Sequence, residues 1–204
     1  PKIIAVFVDD VIEGEDGTLW KVFSTVHVPS EAARRDAGTL AGRDRLPVLW
    51  ALSMSGKAEV GSFWAFFPLA DQTTLSGIVN APWKTNDDRT NLLEGEFNKE
   101  LLSVVAGVVV ESFEKVHREG DAAWHLDVMP ARGREARNWA DALLTSLCYK
   151  RAAVSACIPD QTGRLRVPVD LQLHPRGIPP EVLSVWSAEP TRPDGWCHPS
   201  VETR

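Results

Sequence analysis

The chain has 204 residues, 44% of them hydrophobic and 25% charged, with a formal net charge of -6. This is ordinary globular composition, long enough to bury roughly 70% of the unfolded surface, and the acidic balance argues against a broad nucleic-acid or membrane-surface footprint while leaving room for a local basic groove. No signal peptide or lipidation motif opens the sequence, and its longest apolar run, residues 104–110, is far too short to span a bilayer.

The chain begins at Pro1 directly on an apolar, β-branched run, residues 3–9, which reads as a buried strand and as the interior of a longer protein. Gly14-Glu15-Asp16-Gly17 is a turn signal. Residues 19–28 alternate as a half-buried strand, with Trp20, Val22, Ser24, Val26 and Val28 on one face and Lys21, Thr25 and His27 on the other. Ser30 is a natural N-cap for a short charged helix after Pro29. Arg34, Arg35, Arg43 and Arg45 then fall in a segment of little apolar content, expected on the surface.

Residues 48–54 and 62–67 read as two apolar strands joined through Ser55-Gly56-Lys57 as a β-hairpin. Trp50, Trp64, Phe66 and Phe67 alternate within them and are expected in the core. A further strand over 77–80 ends at Pro82, which cannot donate to a ladder. The polar loop 83–91 follows. Asn91 with Glu94 then suggests a capping-box start to a long helix reaching about His117, with Leu101, Leu102, Val105, Val108, Val109, Phe113 and Val116 at helical spacing.

Gly120-Asp121 breaks that helix. A second helix is expected over about 133–154, on the face marked by Trp139, Ala140, Leu143, Leu144 and Leu147. A turn at 158–163, a strand at 166–173 and a short helix from Pro179-Pro180-Glu181 to Trp186 complete the order. The expected fold class is α+β, a mixed β-sheet covered by two long helices. Residues 1–189 form one domain in this reading, and 190–204, rich in Pro, Gly and Asp, form an extended or disordered tail.

Searching for chemistry returns mainly absences. No phosphate-cradling Walker loop, G-x-G-x-x-G, H-E-x-x-H or G-x-S-x-G occurs. Cys148, Cys157 and Cys197 form no C-x-x-C, and the five histidines are scattered, so no metal is assigned and reduced thiols are expected. Asp9-Asp10 and Asp87-Asp88 are adjacent pairs, and neighbours on a strand face opposite sides. Asp10, His27 and Asp127 are residues from which a dispersed catalytic site could be assembled, although no spacing supports one.

The loop residues Lys84 and Arg89 are cations held between rigid flanks, able to face a phosphate on another domain. Arg89 could instead pair with Asp87 or Glu94 and pin the loop. Trp83, between Pro82 and Lys84, is a candidate docking contact, and Asn80 a candidate binding residue at the strand end.

The set Phe63-Trp64-Ala65-Phe66-Phe67-Pro68, Gly77-Ile78-Val79-Asn80-Ala81-Pro82, Asp88-Arg89 and Asn98-Lys99-Glu100-Leu101 resembles the region after the ATP-binding domain of bacterial GHKL-type ATPases of the sacsin and heat-shock-chaperone kind. Trp20-Lys21-Val22-Phe23 and Leu49-Trp50-Ala51-Leu52 extend the likeness over residues 17–117, and it continues more weakly to Ile158-Pro159-Asp160 and residues 171–175.

The resemblance implies a ribosomal-protein-S5-like middle or transducer domain, with ATP and Mg bound by an upstream domain of the same chain. It makes Arg89 and Lys84 candidate γ-phosphate contacts. It also implies a cytoplasmic, chaperone-like or defence-related ATPase, inactive as this piece alone, with a protein client and a homodimeric parent. Neither a membrane nor a nucleic-acid partner is expected. The rival reading is a stand-alone protein-interaction module with no nucleotide role.

Overall fold

The computed structural model describes residues 8–14, 17–54, 60–116, 120–131, 133–179, 181, 182, 185 and 195–202. The chain divides into two compact units, residues 1–109 with 128–148 and residues 110–127 with 149–204.

The first unit is α+β around a six-stranded mixed sheet. Its strands are β1 (Val8–Glu13), β2 (Leu19–His27), β3 (Leu46–Ser53), β4 (Gly61–Ala65), β5 (Phe67–Thr73) and β6 (Ile78–Asn80), in the spatial order β1-β2-β3-β6-β4-β5. Among the described residues of this sheet, β4–β6 is the one parallel pair. The expected hairpin between the strands at 48–54 and 62–67 is therefore not formed. β6, short and apolar, lies between β3 and β4, so β4 pairs with β5 on one side and β6 on the other.

Gly77 makes this insertion sterically feasible. Its φ of +95° suits glycine, and a Cβ there would come 2.3 Å from the carbonyl oxygen of Ala51. Beside it, Trp50 is fully buried, donates its indole N–H to the Ser76 carbonyl at 2.8 Å and stacks on Phe23 at 5.4 Å. On β2 the best-buried side chains are Val22, Phe23 and Thr25, while Val26, and Val28 just past the strand, are exposed. Burial at the centre of the strand thus falls on Phe23 and Thr25 of the odd-numbered set as well as on Val22. Of the expected strand at 3–9, residues 3–7 lie outside the described residues, and β1 runs on to Glu13 as an edge with Val11 and Ile12 exposed.

Helix α1 (Glu31–Asp36) starts at Ser30, whose hydroxyl accepts from the Ala33 amide. Helix α2 (Glu96–Glu111) is buried along most of its length, with Leu101, Leu102, Val105 and Ala106 inaccessible. It starts two residues past Glu94, and no Asn91 cap is made. Its first-turn amide on Phe97 is taken instead by the Asp36 carboxylate from the end of α1, at 2.9 Å. Gly95 leaves the room, since a Cβ there would sit 2.2 Å from Asp36 Oδ2.

One turn along α2, Glu100 Oε1 lies 2.6 Å from His27 Nε2 and accepts from the Ser30 amide at 2.8 Å. Burial alone would raise the Glu100 carboxyl; the bonds from Ser30 and His27 outweigh it and hold it below its ordinary value.

Helix α4 (Trp139–Ala152) is shorter than the expected 133–154, because Asn138 caps it through the Asp141 amide. Asp141, fully buried, accepts from the Thr73 hydroxyl, the Thr74 amide and hydroxyl, and the Arg137 amide at 2.8–3.0 Å. This ties the start of α4 to the end of β5. Among the described residues the fold is α+β, with a six-stranded mixed sheet and four α-helices.

The second unit contains α3 (Trp124–Asp127) and a two-stranded hairpin, β7 (Ile158–Pro159) with β8 (Leu165–Arg166). The strand expected over 166–173 stops at Arg166 and gives way to a 3-10 turn at Pro168–Asp170. His125 Nε2 is 2.7 Å from the Cys157 carbonyl, and burial pushes the Cys157 thiol up to about 11. Cys148, Cys157 and Cys197 are buried, and none is in a disulfide among the described residues. Within the expected tail, Trp196 and Cys197 form bridges to Gln172 and Asp160, and Pro199–Val201 is a 3-10 turn. The expected helix at 179–186 lies largely outside the described residues. Among the described residues, no helix is long and apolar enough to cross a membrane.

Candidate anion-binding cleft

Residues 84–93 close on themselves as a small hairpin between β6 and α2. Thr85 bridges Leu92, the Leu93 amide donates to the Lys84 carbonyl at 3.0 Å, and the Asn86 amide donates to the Asn91 carbonyl. Asn86 Oδ1 accepts from the amides of Thr90 and Asn91, fastening the tip from inside. The side that faces β5 is tied down as well: the Ala70 amide donates to the Thr90 carbonyl, and Asp71 accepts from the Leu92 amide at 2.7 Å.

The root is held by Asn98 of α2, which is almost wholly buried. Its Oδ1 accepts from the Lys84 amide at 3.0 Å, and its Nδ2 donates to the carbonyls of Lys84 at 2.7 Å and Leu93 at 2.8 Å.

The two cations of this loop have different fates. Lys84 Nζ is 2.6 Å from Asp36 Oδ1 and also donates to the Asp36 carbonyl. The Lys84 hydrogen bond first, then the Phe97 amide, hold the Asp36 carboxyl below its ordinary value of 3.8. Arg89 stands at the tip with φ +55°, exposed, its amide donating to the Asn86 carbonyl. Its guanidinium makes no hydrogen bond or ion pair among the described residues. The pairing with Asp87 or Glu94 is not made; Glu94 is instead 3.4 Å from Lys99.

A cleft of about 730 Å³ opens beside the hairpin. Its walls come from the turn after α1 (Gly38–Leu40 and Arg43), the β4–β5 turn (Ala65 to Phe67), residues 82–87 and Arg89. Trp83 lines it yet is only 4% exposed, without the partial exposure considered from sequence. It packs edge-on to Phe63 at 5.6 Å, and its indole N–H is buried with no hydrogen-bond partner. Asn80 acts on the same wall from behind: its Oδ1 accepts from the Phe66 amide at 3.0 Å and supports the β4–β5 turn.

That turn overturns the expected burial of the aromatic strand. Phe66, at φ +66°, is 62% exposed and Phe67 78% exposed, whereas Phe63 is fully buried. Alternation along 62–67 could not place them, because the strand reverses at Phe66.

Sequence reasoning also missed Arg43. It is exposed, and its side chain has no partner among the described residues. The loop that carries it is braced by Arg34, whose guanidinium donates to the carbonyls of Pro29 and Ala41 and pairs with Asp44 at 3.0 Å. The clustering of arginines at 34–45 was the only signal available, and it could not say which faced a cleft.

Asp10 is exposed on β1, and His27 is committed to Glu100; Asp127 belongs to α3 of the second unit. Among the described residues no group of His, Cys, Asp or Glu gathers where a metal ion could be held. Comparison with family models, curated proteins and solved structures finds no match to this chain.

Proposed function

We propose that this chain is a middle, transducer-like domain of a GHKL-type ATPase of the chaperone-like or defence-related kind, with a ribosomal-protein-S5-like core. In this reading Arg89 reaches the terminal phosphate of an ATP bound, with Mg, by an upstream domain of the same cytoplasmic protein. The observation that carries it is Arg89 itself, an exposed guanidinium on a loop braced from three sides, with no partner among the described residues, at the edge of a cleft. The braced backbone that carries Arg89 need not be ordered when its side chain meets a phosphate, and the guanidinium's fork geometry matches phosphate oxygens. Lys84, the other candidate contact, is paired with Asp36, and in this reading it holds the loop's root in place.

The test is ATP turnover by the full-length protein. Arg89→Ala should lower kcat by about 10³-fold or more, the loss expected when a transition-state arginine is removed, and Arg89→Lys should restore part of it. Unchanged kcat in Arg89→Ala overturns the reading. The rival, a protein-interaction module with no nucleotide role, has its support in exposed Phe66 and Phe67. It expects no effect of Arg89 on turnover, so the same measurement separates the two.

A further inference from the structure

We infer that Arg43 is the second cation of the cleft and that the group bound there is a multiply charged phosphate chain, not a single carboxylate or monophosphate. This rests on the reading of the cleft as a phosphate site and adds to it a residue from another element and a ligand class.

The charge inventory of the lining leads there. Lys84 is neutralised by Asp36. Arg43 and Arg89 come from two separate loops, both line the cleft, and neither side chain has a partner among the described residues. Asp87, also exposed, is the carboxylate among the lining residues, so the two guanidinium groups outnumber it. One bidentate arginine suffices for a carboxylate. Two arginines on separate walls call for an anion with charge at more than one point along its length. Trp83 contributes an independent sign: its indole N–H is buried in the wall with no acceptor, which is rare in a finished interior. The volume, about 730 Å³, lies within the range of small-molecule sites.

Both loops are prepared for the role by bonds that spare the arginines. Arg34 braces the Arg43 loop through Ala41 and Asp44. Asn86 and Asn98 brace the Arg89 loop. Neither brace consumes the cation it presents.

Calorimetric titration of the chain with tripolyphosphate and, separately, inorganic phosphate tests this. Tripolyphosphate should bind at least about tenfold tighter than phosphate, and Arg43→Ala and Arg89→Ala should each weaken it about tenfold, the scale of one charge-assisted hydrogen-bond pair. Circular dichroism of each variant, with Arg43→Gln as a second substitution, checks that the fold is kept. If Arg43→Ala binds like wild type while Arg89→Ala is weakened, the inference falls and the role of Arg89 survives. If only Arg43→Ala is weakened, the proposed role of Arg89 falls, and with it the two-cation site. Equal affinity for phosphate and tripolyphosphate, or no heat at millimolar tripolyphosphate, overturns the inference outright.

Discussion

The root and the tip of the 84–93 hairpin each carry a basic residue, and the molecule treats them in opposite ways. Lys84 at the root is enclosed by Asp36 and by the Asn98 clamp on its backbone, while Arg89 at the tip faces a cleft with nothing bonded to its side chain among the described residues. The difference comes from what the rest of the chain brings opposite each residue. Asp36 lies 48 residues away in sequence and is delivered by the end of α1. A loop cation with a delivered carboxylate is a structural tie. One without is free to meet a ligand, and the bonds at the root are what fix its position.

Breaking the root should have the largest effect. Asn98→Ala removes three hydrogen bonds and leaves the Lys84 amide and the Leu93 carbonyl without these partners in a part-buried place, while the Lys84 carbonyl keeps the Leu93 amide. A loss of about 3 kcal/mol is expected from the shift in urea midpoint, since each orphaned buried group costs about 1–3 kcal/mol. Arg89→Ala at the tip should stay within about 0.5 kcal/mol of wild type, as exposed substitutions do. If the two variants cost the same, the division between tie and presented cation is wrong.

Asp36→Asn is a milder cut at the same root, and its signature is in pH. The folded-state carboxyl is held below 3.8, so ionised Asp36 contributes stability that is fully present above that value. The contribution is lost as pH falls through the depressed folded value. At neutral pH the variant should therefore be less stable than wild type, and by less than Asn98→Ala, because the amide still offers one acceptor. Well below pH 3.8 the two urea midpoints should converge. A gap that persists there would mean that the Asp36 charge plays no part.

The sequence made the local features of this contrast readable and left the distant ones hidden. Ser30 as a cap, Pro82 as the stop after β6 and the turn before Gly163 are decided by residues within a few positions. The polar loop bearing Lys84 and Arg89 was also visible. The insertion of β6 between β3 and β4 was not, because strand order is set by pairings that periodicity does not encode. The start of α2 was misplaced for the same kind of reason: its first-turn acceptor is Asp36, not the nearby Asn91. Arg43 joins the cleft only once α1 and the loop after it are laid beside the β4–β5 turn, and the fate of Lys84 depends on that same arrangement.

A small effect is also expected at the β4–β5 turn, where strain and exposure meet. Phe66 holds φ +66° with its ring 62% exposed, three positions after fully buried Phe63. A non-glycine residue in this region pays about 1 kcal/mol or more in backbone strain. Glycine removes that strain and adds roughly 0.5–1 kcal/mol of chain entropy to the unfolded state. The Phe66 amide bond to Asn80 is retained in either case. Phe66→Gly should therefore leave stability unchanged or raise it by less than about 1 kcal/mol. Truncating a buried phenylalanine such as Phe63 typically costs about 3–5 kcal/mol. Tripolyphosphate affinity should be unaltered in Phe66→Gly, because the ring carries no charge and the two arginines remain. If the substitution instead costs more than about 1 kcal/mol in urea unfolding, the Phe66 ring is packed, and the exposed rim drawn for this side of the cleft is wrong.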